Sequence, residues 1–295
     1  QIPTYFVCKA AKQKVTVSLS GDAGDELFGG YNRYLMAPKL WKKVNWMPVF
    51  LRKIIGNLII KIPIIFWDGF FTSFFRLLKR NKTFNQFGDK VHKFGHRLSN
   101  VYSQDDLFEH LISEQDAKNV LKDGSLISQD ITAPFLRNPL PNNGTADFAS
   151  RMMYKDTLNY LTDDILCKVD RAAMCVSLET RVPFLDHKIV ELAWRMPLEM
   201  KINDNEGKLP LRKILYKYVP KDLIERPKAG FSIPLSDWLR GPLKEWADSL
   251  LNIERLRFEG YLNAEYVDSI WKEHLNGKRN WTFRIWSILM FQSWL

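Results

Sequence analysis

Val15-Thr16-Val17-Ser18-Leu19-Ser20-Gly21-Asp22-Ala23-Gly24-Asp25-Glu26-Leu27-Phe28-Gly29-Gly30-Tyr31 decides how the rest of the chain is read. Val15, Val17 and Leu19 alternate with polar or small residues, which predicts a strand over 15–19. Ser-Gly-Asp-Ala-Gly-Asp then breaks the alternation as a tight turn. A helix is expected from about Asp25, because Leu27, Tyr31 and Tyr34 recur at helical spacing. Strand, small-residue turn and helix aim backbone N–H groups and a positive helix end at the strand's carboxyl edge, a geometry suited to phosphate or carboxylate. Asp22 and Asp25 repel a bare anion, so they fit better beside a divalent cation or a positively charged group. A nucleotide carrying magnesium satisfies all of these demands. The same residues serve equally as an acidic turn that caps a helix.

Working outward, 295 residues allow one large domain or two small ones, and 46% hydrophobic residues with ten tryptophans supply ample core. The formal charge of +10 is localised. Lys39 to Arg97 carries thirteen Lys or Arg and only two acids, Asp68 and Asp89, while the remainder is balanced. A basic stretch of this kind does not make the whole chain a nucleic-acid binder. Cys8, Cys167 and Cys175 lack metal-ligand spacing, and so sparse a set fits a reducing cytoplasm better than a disulfide framework. Gln1-Ile2-Pro3 does not open like an initiator and suggests a domain fragment.

Residues 3–13 predict a short helix with Tyr5, Phe6, Ala10 and Ala11 inward. From Trp41 to about Leu98 the chain is apolar, basic and divided by Pro48, Pro63 and Gly69 into short helices. No run of about 18 uncharged apolar residues is present, which argues against a spanning helix. The plain reading is a helical hairpin with its apolar side inward and Lys/Arg in water. The alternative is a basic, aromatic surface for a peripheral anionic contact through 39–98. Ser103 and Ser113 signal two short helices, Asn138–Gly144 a loop, and 145–161 a further helix. Thr162, Asp163 and Asp164 are placed to cap a helix carrying Lys168 and Arg171 on one face. Glu179, Arg181 and Asp186 suggest a partly buried ion network, with Asp186 capping 188–195. Lys208 to Val219 predicts a helix with Leu211, Ile214, Leu215 and Tyr218 inward. Lys228 sits on a Pro/Gly-shaped loop where it can meet an anion. The Trp-rich stretch from Trp238 to Leu295 is amphipathic helix.

Three motifs in this order carry a resemblance. Ser20–Tyr31 resembles the second nucleotide-site motif of glutamine-hydrolysing asparagine synthetases. Lys168-Val169-Asp170-Arg171 through Leu178–Asp186 is similar to that family's downstream helix-and-loop signature, and Arg226-Pro227-Lys228-Ala229-Gly230-Phe231 resembles a third. The resemblance covers Thr4 to Leu295 and is weakest in the basic segment. It implies an α/β fold of the PP-loop ATP pyrophosphatase type, adenine nucleotide alpha hydrolase-like. On that reading 1–295 is the C-terminal part of a synthetase domain, mostly α-helical with a remnant parallel strand at 15–19, and 39–98 is a basic helical insertion.

By the resemblance, the family activates aspartate with ATP and Mg2+ as β-aspartyl-AMP, then transfers ammonia released from glutamine by an N-terminal glutaminase domain. Ser20 and Gly21 match ATP-contacting backbone, Asp22 an acid tied to forming the adenylate, and Asp25 a magnesium-linked carboxylate. Lys228 matches the lysine that offsets charge on the phosphates, and Lys168 or Arg171 would hold aspartate or phosphate. The Ser-Gly-Gly-x-Asp-Ser loop and the glutaminase domain are absent from these residues, so the chain alone is expected to be inactive. Related amide-forming ligases, such as sugar amidotransferases or β-lactam-synthetase-like enzymes, and a non-catalytic binding module are the competing readings. An open sheet without its first strands leaves bare edges, for which self-association into a homo-oligomer is the expected compensation. Ala23 stands where the family usually has glycine; if that position needs φ > 0, alanine costs about 1 kcal/mol or more.

Overall fold

Two short strands, β1 (Val17–Leu19) and β2 (Glu179–Arg181), pair in parallel with Val17 opposite Glu179 and Leu19 opposite Arg181. The computed structural model describes residues 1–77, 87–113, 117–123, 147–225 and 233–295. They fall into two compact units: Gln1–Leu40 with Pro134–Ile233, and Trp41–Ala133 with Pro234–Leu295. The fold class expected from the sequence holds, since helices dominate and the strand at 17–19 is one of a parallel pair. β2 was not expected as a strand. Its three residues are too short to show an alternation, and it forms because Glu179 N–H reaches Thr16 O at 3.0 Å and Ser20 N–H reaches Arg181 O at 2.8 Å.

In the first unit the helix Ile2–Lys12 packs on Cys167–Met174 through Cys8, Ala173 and Leu178. Phe6, expected inward, is exposed. A second core gathers Ala23, Leu27, Phe28, Leu161, Ile165 and Ala193, with Phe184, Trp194 and Leu211 packed against it. The expected single helix from Asp25 is two. Gly24–Phe28 ends at Gly29, whose φ is 73°, and Asn32–Asn45 begins after Gly30. The left-handed residue stops the first helix, so Leu27 and Tyr34 are buried from different helices.

Phe148–Leu158 starts on Asp147, whose carboxylate accepts Ser150 N–H at 2.9 Å. It is followed by a π-helical stretch, Tyr160–Leu166. Thr162 therefore caps nothing. Its hydroxyl donates back to Leu158 O at 2.8 Å, and the chain continues directly into Cys167–Met174. Asp186 does cap His187–Arg195, accepting Lys188 N–H at 2.9 Å. Glu179 and Arg181 pair at 2.6 Å but are exposed, as is Asp186, so the partly buried ion network expected there is a surface pair. The helix after Lys208 is shorter than expected, Leu209–Leu215. Leu211 packs inward, whereas Ile214 and Tyr218 are exposed.

In the second unit Val49–Lys61, Ile64–Leu77 and Phe87–Asn100 follow the proline punctuation, with Pro48 as a cap; Gly69 stays inside a helix. Val49–Lys61 meets Phe87–Asn100 at Gly56 and Gly95. A Cβ on Gly56 would lie 2.6 Å from Gly95 O, so only glycine permits this approach. The expected inward apolar side is reversed on Val49–Lys61. Arg52 is buried and donates to Val101 O at 2.9 Å, while Phe50, Ile54 and Leu58 face solvent. Gln104–Ile112 carries a full capping box from Ser103 and Asp106. The tail forms five helices from Leu235 to Trp294, with Trp271, Ile285, Ile288 and Leu289 buried and Trp294 exposed.

Candidate active site

The site begins where β1 ends. Ser20 N–H is held by Arg181 O, the last ladder contact, so the Ser20–Gly24 turn leaves the strand pair at its carboxyl end. Ser20 Oγ donates to the Asp22 carboxylate, and Asp22 N–H donates to Ser20 Oγ at 3.3 Å. These two bonds tie the first acid to the strand terminus. At Gly21 the direction a side chain would take is open, with no atom within 4 Å. Ala23 then adopts φ 66°, ψ −13° and is buried, which is the left-handed conformation its alanine disfavours. Gly24 packs against the Phe184 ring.

Asp25 closes the turn as the second residue of Gly24–Phe28, with its carboxylate 3.0 Å from Lys208 Nζ. The structure thus gives this acid a lysine partner that the sequence reading did not anticipate. Lys208 is delivered by a loop pressed onto the Gly29–Gly30 corner. Lys208 N–H donates to Phe28 O at 2.9 Å, and a Cβ on Gly207 would sit 1.9 Å from Gly29 O. Lys208 itself has φ 58°, a cost accepted where this contact fixes the backbone. A Cβ on Gly30 would strike both Asp25 Oδ1 and Lys208 Cε, so the Gly-Gly pair leaves the space in which the ion pair forms.

Behind this turn is a buried polar network. Glu26 accepts Tyr31 Oη–H at 2.6 Å, and burial pushes its carboxyl above the usual range. Arg33 lies over the Tyr31 and Tyr160 rings, at 4.3 and 5.1 Å, and pairs with Asp156 at 2.8 Å. Asp156 also accepts Tyr34 Oη–H at 2.5 Å. Burial raises the Asp156 carboxyl, with Arg33 opposing, and holds both Tyr31 and Tyr34 neutral well above the ordinary phenol range. The network fastens the Gly24–Phe28 and Asn32–Asn45 helices to Phe148–Leu158. Sequence reasoning saw Tyr31 and Tyr34 only as apolar positions. The signal it passed over was a Tyr-x-Arg-Tyr run beside an otherwise unexplained Glu26.

Of the residues expected to act together, Ser20, Gly21, Asp22 and Asp25 share one turn. Lys168 and Arg171 are on Cys167–Met174, Lys168 half-buried and Arg171 exposed. Among the described residues neither makes a hydrogen bond or ion pair with the Ser20–Asp25 turn. Lys228 lies outside the described residues, as do the Arg226–Phe231 motif and the Asn138–Gly144 loop. Gly24–Phe28 has only five residues, so a helix dipole adds little at this turn. No group of three His, Cys, Asp or Glu able to hold a metal occurs among the described residues. The donor set still fits Mg2+, which takes one or two carboxylates and completes its shell with phosphate oxygens and water.

The family model described as asparagine synthase matches residues 1–295. The protein named asparagine synthetase [glutamine-hydrolyzing] 1 of Bacillus subtilis (strain 168) is 32% identical over 293 residues, 99% of this chain and 42% of that protein. Asparagine synthetase [glutamine-hydrolyzing] 3 of the same organism is 33% identical over 129 residues, 40% of this chain and 21% of its own length. The Homo sapiens asparagine synthetase [glutamine-hydrolyzing] is 27% identical over 147 residues, covering 43% of this chain and 25% of the human protein. The chain thus spans about two fifths of the length of the B. subtilis relative it matches end to end. No solved structure matches it.

Proposed function

The chain belongs to the asparagine synthase family, and from that premise we propose that it is the C-terminal part of the synthetase domain of an ATP-dependent, glutamine-using asparagine synthetase, with 39–98 as a basic insertion. The carrying observation is the Ser20–Asp25 turn at the end of a parallel strand, with one acid tied to Ser20 and the other paired with Lys208. In the proposed reaction an aspartate carboxylate oxygen attacks the α-phosphorus of ATP and pyrophosphate leaves. Ammonia derived from glutamine then attacks the acyl carbon and AMP leaves.

Each residue has a task in that scheme. The open side of Gly21 lets the nucleotide approach the backbone, and Ser20 holds Asp22 in one orientation. Magnesium, held by Asp25, would supply positive charge to the phosphates. Lys208, paired with Asp25 at 3.0 Å, fixes that carboxylate in place before the nucleotide arrives. Lys228, which lies outside the described residues, offsets charge on the departing pyrophosphate; preorganised charge of this kind lowers a barrier by several kcal/mol, on the order of 3. Lys168 and Arg171 are proposed for the substrate carboxylates. Whole-protein activity needs the nucleotide loop and glutaminase that the family carries elsewhere.

The test is aspartate-dependent ATP–pyrophosphate exchange in the full-length protein. Asp25→Asn and Lys228→Ala are each expected to abolish it. Exchange within about threefold of wild type for both would reject the assigned roles.

A further inference from the structure

The Val49–Lys61 helix turns the wrong side to its neighbour. Phe50, Ile54 and Leu58, spaced four apart on one face, are 61%, 52% and 55% exposed, while the opposite face buries Arg52 and Gly56 against Phe87–Asn100. The preceding Trp46 is 75% exposed, and Ile65 and Phe66 on the next helix are exposed as well. Helix geometry puts Lys53 along one border of the Phe50–Leu58 stripe, where its ammonium lies 5.0 Å from the Tyr102 ring centre, and Lys61 in line with the stripe at its C-terminal end; Lys42 and Lys43 precede it, and all four lysines are exposed. The two acids of the segment are occupied locally. Asp68 accepts Gly88 N–H at 2.7 Å, and Asp89 is buried against Lys93 at 3.0 Å. What faces water is therefore apolar and cationic.

We propose that this face binds the surface of an anionic lipid bilayer, with Phe50, Ile54 and Leu58 entering the headgroup–acyl boundary and the flanking lysines meeting the lipid phosphates. An exposed apolar helical stripe accompanied by lysines, with Trp46 and Phe66 exposed in the flanking segments, is the composition of an interfacial segment. No helix among the described residues is long and apolar enough to cross a membrane, so the segment lies in the interface plane. A second copy of the chain is the poorer occupant, because pairing this face with itself sets lysine against lysine. The inference does not depend on the proposed chemistry.

Co-sedimentation of the full-length protein with vesicles tests it. Phosphatidylcholine vesicles containing phosphatidylglycerol are expected to bind it at least about tenfold better than phosphatidylcholine alone. Salt at about 0.5 M should weaken that preference. The double variant Phe50→Glu/Ile54→Glu should lose the anionic vesicles by about tenfold or more with an unchanged circular-dichroism spectrum. Lys53→Glu/Lys61→Glu should reduce the preference for anionic over neutral lipid. Equal binding to both vesicle types, no binding to either, or wild-type binding by the Phe50→Glu/Ile54→Glu variant would overturn the proposal. So would a wild-type oligomer that this variant converts to monomer while vesicles stay unbound, since the face would then belong to a second copy.

Discussion

Ala23 and His274 show how single positions set the molecule's tolerances. Ala23 is buried at φ 66°, a conformation that glycine reaches without steric cost. Ala23→Gly is expected to stabilise the chain by about 1 kcal/mol in denaturant unfolding; a loss of stability would show that the Cβ contributes more by packing than it costs in strain. At Gly29, φ 73° combines with Ile202 Cγ2 only 2.2 Å from a built Cβ, so Gly29→Ala should destabilise by more than that. His274 is fully buried, stacked on Trp271, with Trp281 N–H directed at Nδ1 at 3.4 Å. Burial, reinforced by the Arg240 charge, lowers its pKa to about 4. The folded state thus keeps His274 neutral, while the unfolded chain takes up a proton below its ordinary value near 6.5. Its contribution is complete above that pH and is lost as pH falls toward 4, up to about 3 kcal/mol. Unfolding free energies over this range should fall less steeply in His274→Gln; an unchanged slope would rule the residue out as the source. Nothing in the sequence marks His274, because its burial comes from helices that meet only in the folded unit.

At the scale of elements, the caps at Ser103 and Asp186 were legible, while the one expected at Thr162 fails and the reversals were not foreseen. Ser103 and Asp186 cap the helices that their sequence positions announce, because capping is decided within four residues. Ser103→Ala should cost about 1 kcal/mol in thermal or chemical unfolding, and a neutral result would mean that the helix is held by packing alone. Which face of Val49–Lys61 is buried depends on Gly56 meeting Gly95, a contact between segments with no shared periodicity, so hydrophobic spacing pointed the wrong way. β2 was missed for the same reason: three residues join a ladder whose other side is set at residue 16. The candidate site divides likewise. Ser20, Gly21, Asp22 and Asp25 were readable as one turn, because neighbours in sequence stay neighbours in a turn. Lys208 was not, since its loop reaches Asp25 only after Gly207 settles on Gly29 O.

For the whole molecule, one parallel pair leaves β1 and β2 with an unpaired edge each among the described residues, and Leu19 is 73% exposed. Such edges recruit other strands. Light scattering after size exclusion is expected to show self-association of this chain that Leu19→Lys weakens; a monodisperse wild-type monomer would contradict it. The Arg33–Asp156 pair binds distant parts of the first unit, with the Asp156 side chain almost wholly enclosed. Asp156→Ala strands the Arg33 charge and should cost about 3 kcal/mol by urea titration; a loss below about 1 kcal/mol would show that the tyrosine rings alone satisfy it. The tyrosines around that pair also give the protein an intrinsic alarm against alkali. Phenols in water ionise near pH 10, but Tyr31 and Tyr34 hold their protons until the unit opens. Ultraviolet absorbance of phenolate should therefore climb in two stages, the surface rings first and these two only on collapse, so that a plain spectrophotometer times the loss of structure without a label.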